Sequence, residues 1–218
     1  MKISKETLAV IKNFAGINSN LLITTGSKLS TINAHKNVLA SAVVVEEFPI
    51  DFGIYDANEF LGVLSSFSDP DVEFSDKYAI ITDGKSSVKY VAADKSVLTL
   101  PQKEIKFPAT DVEFTLESAQ LSSVMKMASI LRATDVSIIG ADGELSISVG
   151  DLKNVASNSF NINIGNTDKE FSANIRVENM KLMQQDYTVY VSSKKICKFE
   201  AVGSDLVVFI ALEATSTF

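Results

Sequence analysis

Short runs of apolar and β-branched residues, alternating with polar ones, recur along most of the chain. A period of two places every second side chain on the same face, which is typical of half-buried β-strands. In one such run, we expect Ile50, Phe52 and Ile54 to share a face. The pattern predicts strands over residues 21–25, 38–45, 49–55, 78–82, 87–91, 136–139, 145–149, 160–164, 171–175, 188–191, 196–201 and 206–212.

Two Asp-Gly pairs, Asp83-Gly84 and Asp142-Gly143, each separate two predicted strands. An Asp-Gly pair between alternating runs predicts a β-hairpin, because a tight primed turn needs positive φ. Gly84-Lys85-Ser86 also resembles the end of a phosphate-binding loop, but position 79, where that motif requires glycine, is Ala79. The hairpin interpretation is therefore preferred.

Four segments repeat their apolar residues at three- and four-residue steps, which predicts amphipathic helices. Ser4 can cap the first helix, and Asp56 can cap the second, which covers residues 57–67. The third helix begins at Glu117-Ser118, and the fourth covers residues 177–184. The predicted inward residues are, helix by helix, Leu8, Ile11, Phe14 and Ala15; Phe60, Leu61, Leu64 and Phe67; Leu121, Val124, Met125, Ala128 and Leu131; and Met180 and Met183.

The order of these elements occurs twice along the chain. Corresponding elements lie roughly 114 to 121 residues apart, a spacing too long for a solenoid and suited to a duplicated domain. We therefore predict an α+β protein of two similar domains, residues 1–98 and 112–218. An extended linker at 99–111, containing Pro101 and Pro108, joins them.

Composition narrows the functional classes. The 218 residues include 20 Lys and Arg against 27 Asp and Glu, so the formal charge is −7. An acidic total argues against coating nucleic acid with the whole surface, but it allows one basic stripe. No apolar run approaches the roughly 20 residues of a membrane helix, and the N-terminus is unlike a signal peptide. We expect a soluble protein of a reducing intracellular compartment.

The search for catalytic chemistry finds no motif. A single cysteine, Cys197, excludes a disulfide framework and a Cys-rich zinc site, and a single histidine, His35, argues against a His-based triad. We expect His35 in a solvated turn and Cys197 as a small strand residue. Acid pairs such as Glu46-Glu47 are expected in solvated loops rather than at a metal or acid–base site. We therefore expect no enzyme activity, no metal and no cofactor.

Basic residues lie on the outward sides of the predicted helices. Lys5 and Lys12, seven residues apart, share one face of the first helix, opposite the Leu8, Ile11 and Phe14 stripe. Lys126 shares the outer face of the third helix with three serines, Arg132 is predicted on its flank, and Lys181 lies on the fourth. The alternative is that these are the ordinary solvated faces of amphipathic helices.

Two predicted strands, 87–91 and 160–164, are candidate open sheet edges. Pairing one of them head to tail with the other in the next copy would close a ring. The alternative is that loops or charges cover both edges.

Several segments resemble the sliding clamps of T-even-type bacteriophages, in order and over nearly the whole chain. The matching residues are Met1 to Thr7, Lys12 to Ser19, Asp51 to Asp56, Phe60 to Leu64, Asn179 to Lys181 and Ile210 to Thr217. The resemblance implies the DNA clamp fold, which is shared with proliferating cell nuclear antigen. In that fold three two-domain subunits form a homotrimeric ring, with antiparallel sheets outside and helices lining a central hole.

The resemblance also implies function and partners. The ring would encircle duplex DNA and tether the replicative DNA polymerase in the cytoplasm of the infected bacterial host. An ATP-dependent clamp loader would open it, and a sigma-like factor and coactivator would use it in late transcription. The alternative is a phage structural or assembly β-protein with duplicated domains and no role on DNA.

The resemblance assigns three sets of residues. The DNA-facing set is Lys5, Lys12, Lys126, Arg132 and Lys181. The expected partner-peptide pocket is formed by Leu98, Leu100, Ile105, Phe107, Pro108, Ile210 and Leu212. The expected subunit interface pairs Ser87, Val88, Lys89, Tyr90 and Val91 with Phe160, Asn161, Ile162, Asn163 and Ile164.

Overall fold

The computed structural model describes residues 1–154 and 156–218, and over these residues it contains three α-helices and fifteen β-strands. The chain divides into two units. Unit 1 comprises Met1–Glu104 with Ser204–Leu206, and unit 2 comprises Ile105–Gly203 with Val207–Phe218.

Unit 1 contains two helices and two antiparallel sheets. The first sheet has the order β4-β1-β2-β3, and the second has the order β5-β6-β7. The elements are α1 (Lys5–Ala15), β1 (Leu21–Ile23), β2 (Gly26–Ile32), β3 (Val38–Phe48), β4 (Phe52–Ile54), α2 (Ala57–Ser65), β5 (Asp71–Phe74), β6 (Tyr78–Thr82) and β7 (Ser87–Val91).

Unit 2 repeats this plan with one helix. Its sheets have the orders β15-β14-β13-β8 and β11-β10-β9-β12, again antiparallel. The elements are β8 (Val112–Leu116), α3 (Ser118–Leu131), β9 (Asp135–Ala141), β10 (Glu144–Gly150), β11 (Phe160–Asn166), β12 (Phe171–Arg176), β13 (Tyr187–Ser192), β14 (Ile196–Ala201) and β15 (Val207–Ala211).

Helix α1 begins where its sequence predicts. The Ser4 hydroxyl accepts a hydrogen bond from the Thr7 backbone N–H at 3.1 Å, which satisfies one of the free amide groups of the first turn. Ile11 and Phe14 are fully buried in the core of unit 1. Leu8 is only half-buried, so its predicted place in the core stripe is wrong. It lies about 60° from Lys5 around the helix axis, on the border between the core and solvent.

Helix α2 has the predicted cap but ends at Ser65 rather than at residue 67. The Asp56 carboxylate accepts hydrogen bonds from the first-turn N–H groups of Asn58 and Glu59. At the other end, the Ser65 and Ser66 hydroxyls donate to the carbonyl oxygens three residues earlier. Such local side-chain bonds compete with continuation of the helix.

Helix α3 also begins as predicted, after Glu117, whose backbone N–H donates to the Gln120 side chain at 2.9 Å. Arg132 is not on the flank of this helix, because it is the residue after the last turn. Its φ is 53°, a left-handed conformation that ends the helix and gives Arg132 a direction unrelated to the helical wheel.

The predicted fourth helix over 177–184 is wrong. The segment contains one 3₁₀ turn, Val177–Asn179, followed by irregular backbone, and Lys181 is exposed in the irregular part. Long-range hydrogen bonds hold it in this form, from the Val177 N–H to the Thr134 carbonyl and from Gln184 to Ser118. A segment of eight residues is too short to stabilise a helix against such bonds.

Both predicted hairpins are confirmed, with different loops. Asp142 and Gly143 have φ of 53° and 83° and form a two-residue loop, as the primed-turn argument requires. The loop after β6 has four residues, 83–86, in which the Asp83 carboxylate accepts from the Lys85 and Ser86 N–H groups.

Three strands, β2, β5 and β8, are missing from the sequence prediction. Strand β2 is rich in polar residues, whereas β5 and β8 alternate apolar and polar residues over only four and five positions, and β5 buries only Val72. The predicted strand at 49–55 is shortened to β4, in which all three residues are buried. Its central residue must be glycine, because a Cβ on Gly53 would lie 2.2 Å from the Ala93 carbonyl oxygen.

Glu46 is a core residue rather than part of a solvated acid pair. It is 9% exposed and accepts hydrogen bonds from the Ser4 backbone N–H and the Thr7 hydroxyl, so it joins β3 to the first turn of α1. Burial by itself would raise the pKa of Glu46, but the hydrogen bonds from Thr7 and Ser4 outweigh it and lower the pKa. Its negative charge also lies at the positive end of the α1 dipole.

We expect Glu46→Gln to lower the free energy of unfolding by about 1–3 kcal/mol at pH 7, because an amide replaces one of the accepting oxygens. Since the folded-state pKa of Glu46 is lowered, the stabilisation is present above the unfolded-state pKa and is lost as the pH falls. Urea denaturation of wild type and E46Q should therefore converge in acid. The exposed neighbour supplies the control E47Q, and equal stability of E46Q and wild type at pH 7 would contradict this role.

Two glycine variants test the local packing around the backbone of unit 1. Gly62 lies inside α2, and a Cβ added there meets nothing within 4 Å. Gly62→Ala should therefore raise the free energy of unfolding by about 0.5–1 kcal/mol, the difference in helix propensity. Gly53→Ala should lower it, because its Cβ would overlap the Ala93 carbonyl oxygen. Thermal denaturation of the two variants should shift in opposite directions, and a shift in the same direction would refute the local packing described here.

Candidate functional site

The two helices of unit 1 border a groove of about 680 Å³. Most of the lining residues follow the same spacing, i, i+3, i+4 and i+7, on both helices, so each helix contributes one face to the groove. These are Lys5, Leu8, Ala9 and Lys12 from α1 and Asn58, Leu61, Gly62 and Ser65 from α2. The surface of the helix pair is thus a shallow apolar floor with cationic side chains along α1.

Lys5 and Lys12 are the charged residues contributed by α1 to this groove, and both are exposed. Across residues 1–154 and 156–218, neither ammonium group has a carboxylate within 4.0 Å. The third lysine of this region, Lys2, is paired with Asp69 at the end of the groove. Two flexible cationic side chains, two helical turns apart, can therefore reach an anionic ligand in front of the helices.

The carboxylates of α2 do not line this groove. Asp56 is used as the helix cap, and Glu59 lies beside the Tyr90 hydroxyl instead. Burial, together with the charges of Glu59 and Asp56, raises the pKa of Tyr90 to about 12. The Tyr90 ring also packs edge-on against Phe60 at 5.2 Å. The acidic side of α2 is thereby turned toward β7 and away from the lysines.

The exposed face of α3 in unit 2 is mostly neutral. Lys126 lies near its centre, and Ser122 and Ser129 are exposed beside it. Ile130, on the same side, is 61% exposed. Of the five charged residues within α1, α2 and α3, three are lysines and two are glutamates, so the helices carry a net charge of +1 in a chain of −7. The helices are thus more positive than the rest of the protein.

The structure gives the five predicted DNA-facing residues different settings. Lys5, Lys12 and Lys126 are exposed on helices, whereas Arg132 follows the last turn of α3 and Lys181 lies in irregular backbone. Only Lys5 and Lys12 share one groove. Their proximity to each other was readable from the sequence, because residues seven apart face the same side of a helix.

The predicted interface residues lie on two edge strands. Ser87–Val91 is β7, at the end of the three-stranded sheet of unit 1, and Phe160–Asn166 is β11, at the end of a four-stranded sheet of unit 2. The Val91 side chain is 67% exposed at the edge of unit 1. Lys89 lies over the Tyr78 ring, with Nζ 4.2 Å from the ring centre.

The predicted pocket residues do not share one environment. In unit 1, Leu98 and Leu100 are half-buried. In unit 2, Ile105 is 36% exposed and Phe107 and Pro108 are half-buried. Ile210 is fully buried and Leu212 is 8% exposed. The assignment of Ile210 to an open pocket is therefore wrong: its side chain alternates toward the core of unit 2, which the strand period makes inevitable.

Phe107 instead lies on an aromatic platform that sequence reasoning missed. Its ring centre is 6.4 Å from that of Tyr190 and 6.3 Å from that of Phe209. The Lys198 ammonium lies 3.9 Å from the Tyr190 ring centre, a cation–π contact. Tyr190, Lys198 and Phe209 are direct cross-strand neighbours on β13, β14 and β15. Only knowledge of the strand register could have brought them together.

Other candidate chemistry is unremarkable. His35 is exposed in the turn before β3, and Cys197 is buried in β14, where burial raises the pKa of its thiol. Among the described residues, no three His, Cys, Asp or Glu side chains come together as a metal-binding cluster. Within that same part of the chain, no helix combines the length and apolarity needed to span a bilayer.

Two family models match the chain in succession. Residues 4–100 match the family described as DNA polymerase processivity factor, and residues 113–214 match gp45 sliding clamp, C terminal. Among individual relatives, a protein named Sliding clamp from Vibrio phage KVP40 is 31% identical over 98% of this chain and 100% of its own length. The Sliding clamp of Escherichia phage RB69 is 33% identical over 100% of this chain and 99% of its own length.

Solved structures show the same architecture at lower identity. Proliferating cellular nuclear antigen from Entamoeba histolytica superposes with a TM-score of 0.67 at 15% identity, covering 94% of each chain. A chain of the PCNA2-PCNA3 complex from Sulfolobus tokodaii gives 0.70 at 12% identity, covering 95% of each. The DNA polymerase III subunit beta from Pseudomonas aeruginosa gives 0.67 at 13% identity, over 100% of this chain and 65% of its own.

At these identities the structural likeness establishes the DNA clamp fold alone, with antiparallel sheets and helices as the resemblance implied. Family membership follows from the phage relatives, since identity above 30% extends over essentially the whole of both chains. The chain therefore belongs to the sliding clamp family of DNA polymerase processivity factors.

Proposed function

We propose that three copies of the chain close into a ring that encircles duplex DNA and tethers the replicative DNA polymerase, without catalysing a reaction. The single observation that supports this most directly is the pair Lys5 and Lys12, exposed on one face of α1 in an otherwise acidic chain. In the proposed ring this face lines the hole. The carboxylates of α2 lie outside the groove, so they do not place negative charge where DNA phosphates would bind.

The chemistry of this face suits sliding. Seven residues of α-helix rise about 10.5 Å, so Lys5 and Lys12 can reach separate phosphates of one backbone. Phosphate contacts carry no sequence information, and flexible ammonium groups exchange easily between them. Lys126, Arg132 and Lys181 are proposed to contribute in the same way. A ring is held on DNA by topology, so weak attraction is sufficient and strong attraction would slow its movement.

Ring closure is proposed to use the two edge strands. β7 of one copy, residues Ser87 to Val91, would pair with residues Phe160 to Ile164 of β11 in the next copy. Such a heterologous contact, repeated by three two-unit chains, closes a ring of six similar units. Half-exposed apolar residues on both strands would be buried by this pairing.

Partner proteins are proposed to dock through short hydrophobic peptides near the linker. Leu98, Leu100, Ile105, Phe107, Pro108 and Leu212 are the remaining candidates, and the aromatic platform around Phe107 adds an apolar surface in unit 2. The proposed partners are the polymerase, an ATP-dependent clamp loader and, in late transcription, a sigma-like factor with its coactivator. The proposed setting is the cytoplasm of an infected bacterium.

The experiment that tests this function replaces both groove lysines. Lys5→Glu with Lys12→Glu should reduce processive DNA synthesis on primed circular DNA about tenfold, because two phosphate contacts become repulsive. The assay contains the matching polymerase, clamp loader and ATP. Exposed substitutions of this kind should change the free energy of unfolding by less than about 0.5 kcal/mol each.

The matched control is Lys77→Glu with Lys85→Glu. These lysines are exposed in the loops that flank β6, and the double variant changes the net charge by the same amount. We expect it to support normal synthesis. Equal loss in both double variants would mean that total charge matters and not the α1 face, and full activity of K5E/K12E would refute the proposed DNA contact.

A further inference from the structure

Both ends of the chain are hydrogen-bonded to the backbone of a sheet edge. The α-ammonium group of Met1 donates to the Val72 carbonyl at 2.7 Å, and the Val72 N–H donates to the Met1 carbonyl at 2.8 Å. At the other end, the Ser172 N–H donates to the Thr217 carbonyl at 3.0 Å, and the Thr217 N–H donates to the Ser172 carbonyl at 2.9 Å. A reciprocal pair of this kind is one rung of an antiparallel ladder.

The two edges concerned are end strands of two different sheets. Val72 is on β5, at one end of the β5-β6-β7 sheet, and Ser172 is on β12, at one end of the β11-β10-β9-β12 sheet. The opposite ends of these sheets are β7 and β11. Within the described ranges, each of these two strands has a strand neighbour on one side only. Each chain terminus thus covers the edge opposite the one that the ring would use.

The C-terminal segment is fixed by a buried polar network. The Asn174 backbone N–H donates to the Ser216 hydroxyl at 2.9 Å, and the Asn174 amide group donates to the Thr215 hydroxyl at 3.2 Å. Asn174 and Ser216 are 3% and 4% exposed. The Phe218 ring stacks on Phe171, with centres 6.0 Å apart and planes at 9°. A satisfied buried network holds the segment in one position against β12.

The N-terminal cover is assisted by charge. Lys2 is paired with Asp69, just before β5, which holds the first residues beside that strand. Asp71 and Glu73, on either side of Val72, are exposed. Charged side chains on an edge strand discourage pairing with another strand, because the approaching chain would have to desolvate them.

We propose that the two termini are edge covers that prevent a second copy of this chain from pairing with β5 or β12. The occupant excluded from β5 and β12 is a second copy of the chain, added as an extra strand. With those edges covered, the β5-β6-β7 and β11-β10-β9-β12 sheets each keep one uncovered end strand, β7 or β11, and strand addition at the opposite end, which would lead to branched aggregates, is blocked. The inference rests on the proposed ring only for the use of β7 and β11, and not for the covering itself.

The test removes the C-terminal cover. Deletion of Thr217 and Phe218 exposes the N–H and carbonyl of Ser172 and keeps the anchors Thr215 and Ser216. Sedimentation velocity over a concentration series should show species heavier than any formed by wild type, with the average mass at least about twofold higher at high concentration. Phe218→Ala is the control, since it removes the ring and keeps the backbone pair, and it should sediment like wild type.

A rescue variant separates edge pairing from exposure of Phe171. Ser172→Pro in the truncated chain removes the exposed N–H, and proline is tolerated on an edge strand. It should abolish the heavier species. Circular dichroism checks folding, and if the deletion unfolds the chain, Thr217→Pro replaces it with the same expectation.

Heavier species in the F218A control, or a folded truncated chain that sediments like wild type, would overturn the proposal. The outcome is independent of ring formation, because each variant is compared with wild type whatever its oligomeric state. A monomeric wild type would refute the ring and leave the comparison valid.

Discussion

The unpaired backbone of a sheet edge is the constraint on which this structure depends. Each edge strand presents N–H and carbonyl groups that another strand can pair with, so a protein built of four sheet segments must control where pairing occurs. The chain deals with two of these edges by laying its own ends against them, Met1 on β5 and Thr217 on β12. The opposite end strands of the same two sheets, β7 and β11, carry no such cover and are the strands that the proposed ring would use.

Charge is also distributed unevenly over the protein. A formal charge of −7 would make the protein as a whole repel DNA. The helices depart from this average, because Lys5 and Lys12 face outward on α1 while Asp56 caps α2 and Glu59 turns toward Tyr90. In the proposed ring, this modestly cationic helical surface on an acidic body would favour contact with DNA at one place and discourage it elsewhere.

Most of the secondary-structure elements that were predicted correctly were predicted from the local periodicity of apolar residues. The caps of α1, α2 and α3 and most strands followed from Ser4, Asp56 and the alternation of apolar residues, since these signals act within a few positions. The helix predicted over 177–184 was wrong because hydrogen bonds to Thr134 and Ser118, which are distant in sequence, determine the conformation of this segment. No local sequence pattern encodes such bonds. Strand β2 was missed because its sequence is mostly polar, and β5 and β8 were missed because their alternation extends over only four and five residues.

The residues of the candidate site were likewise predictable only in part. Lys5 and Lys12 could be grouped from their spacing alone. Glu46 was mistaken for a solvated acid because its partners, Ser4 and Thr7, are about forty residues away in sequence. Likewise, the platform of Tyr190, Lys198 and Phe209 appears only when three strands are set in register. Sequence patterns predict which residues share one face of a helix or strand, but contacts between strands can be identified only once the fold is known.

The measurement that tests the ring most directly is the native mass by light scattering across a concentration series. Three copies of the 23.6 kDa chain give a mass of about 71 kDa, and we expect this species to persist unchanged as the protein is concentrated. A stable dimer of about 47 kDa would contradict the account, because two chains of two units cannot close a ring of six similar units.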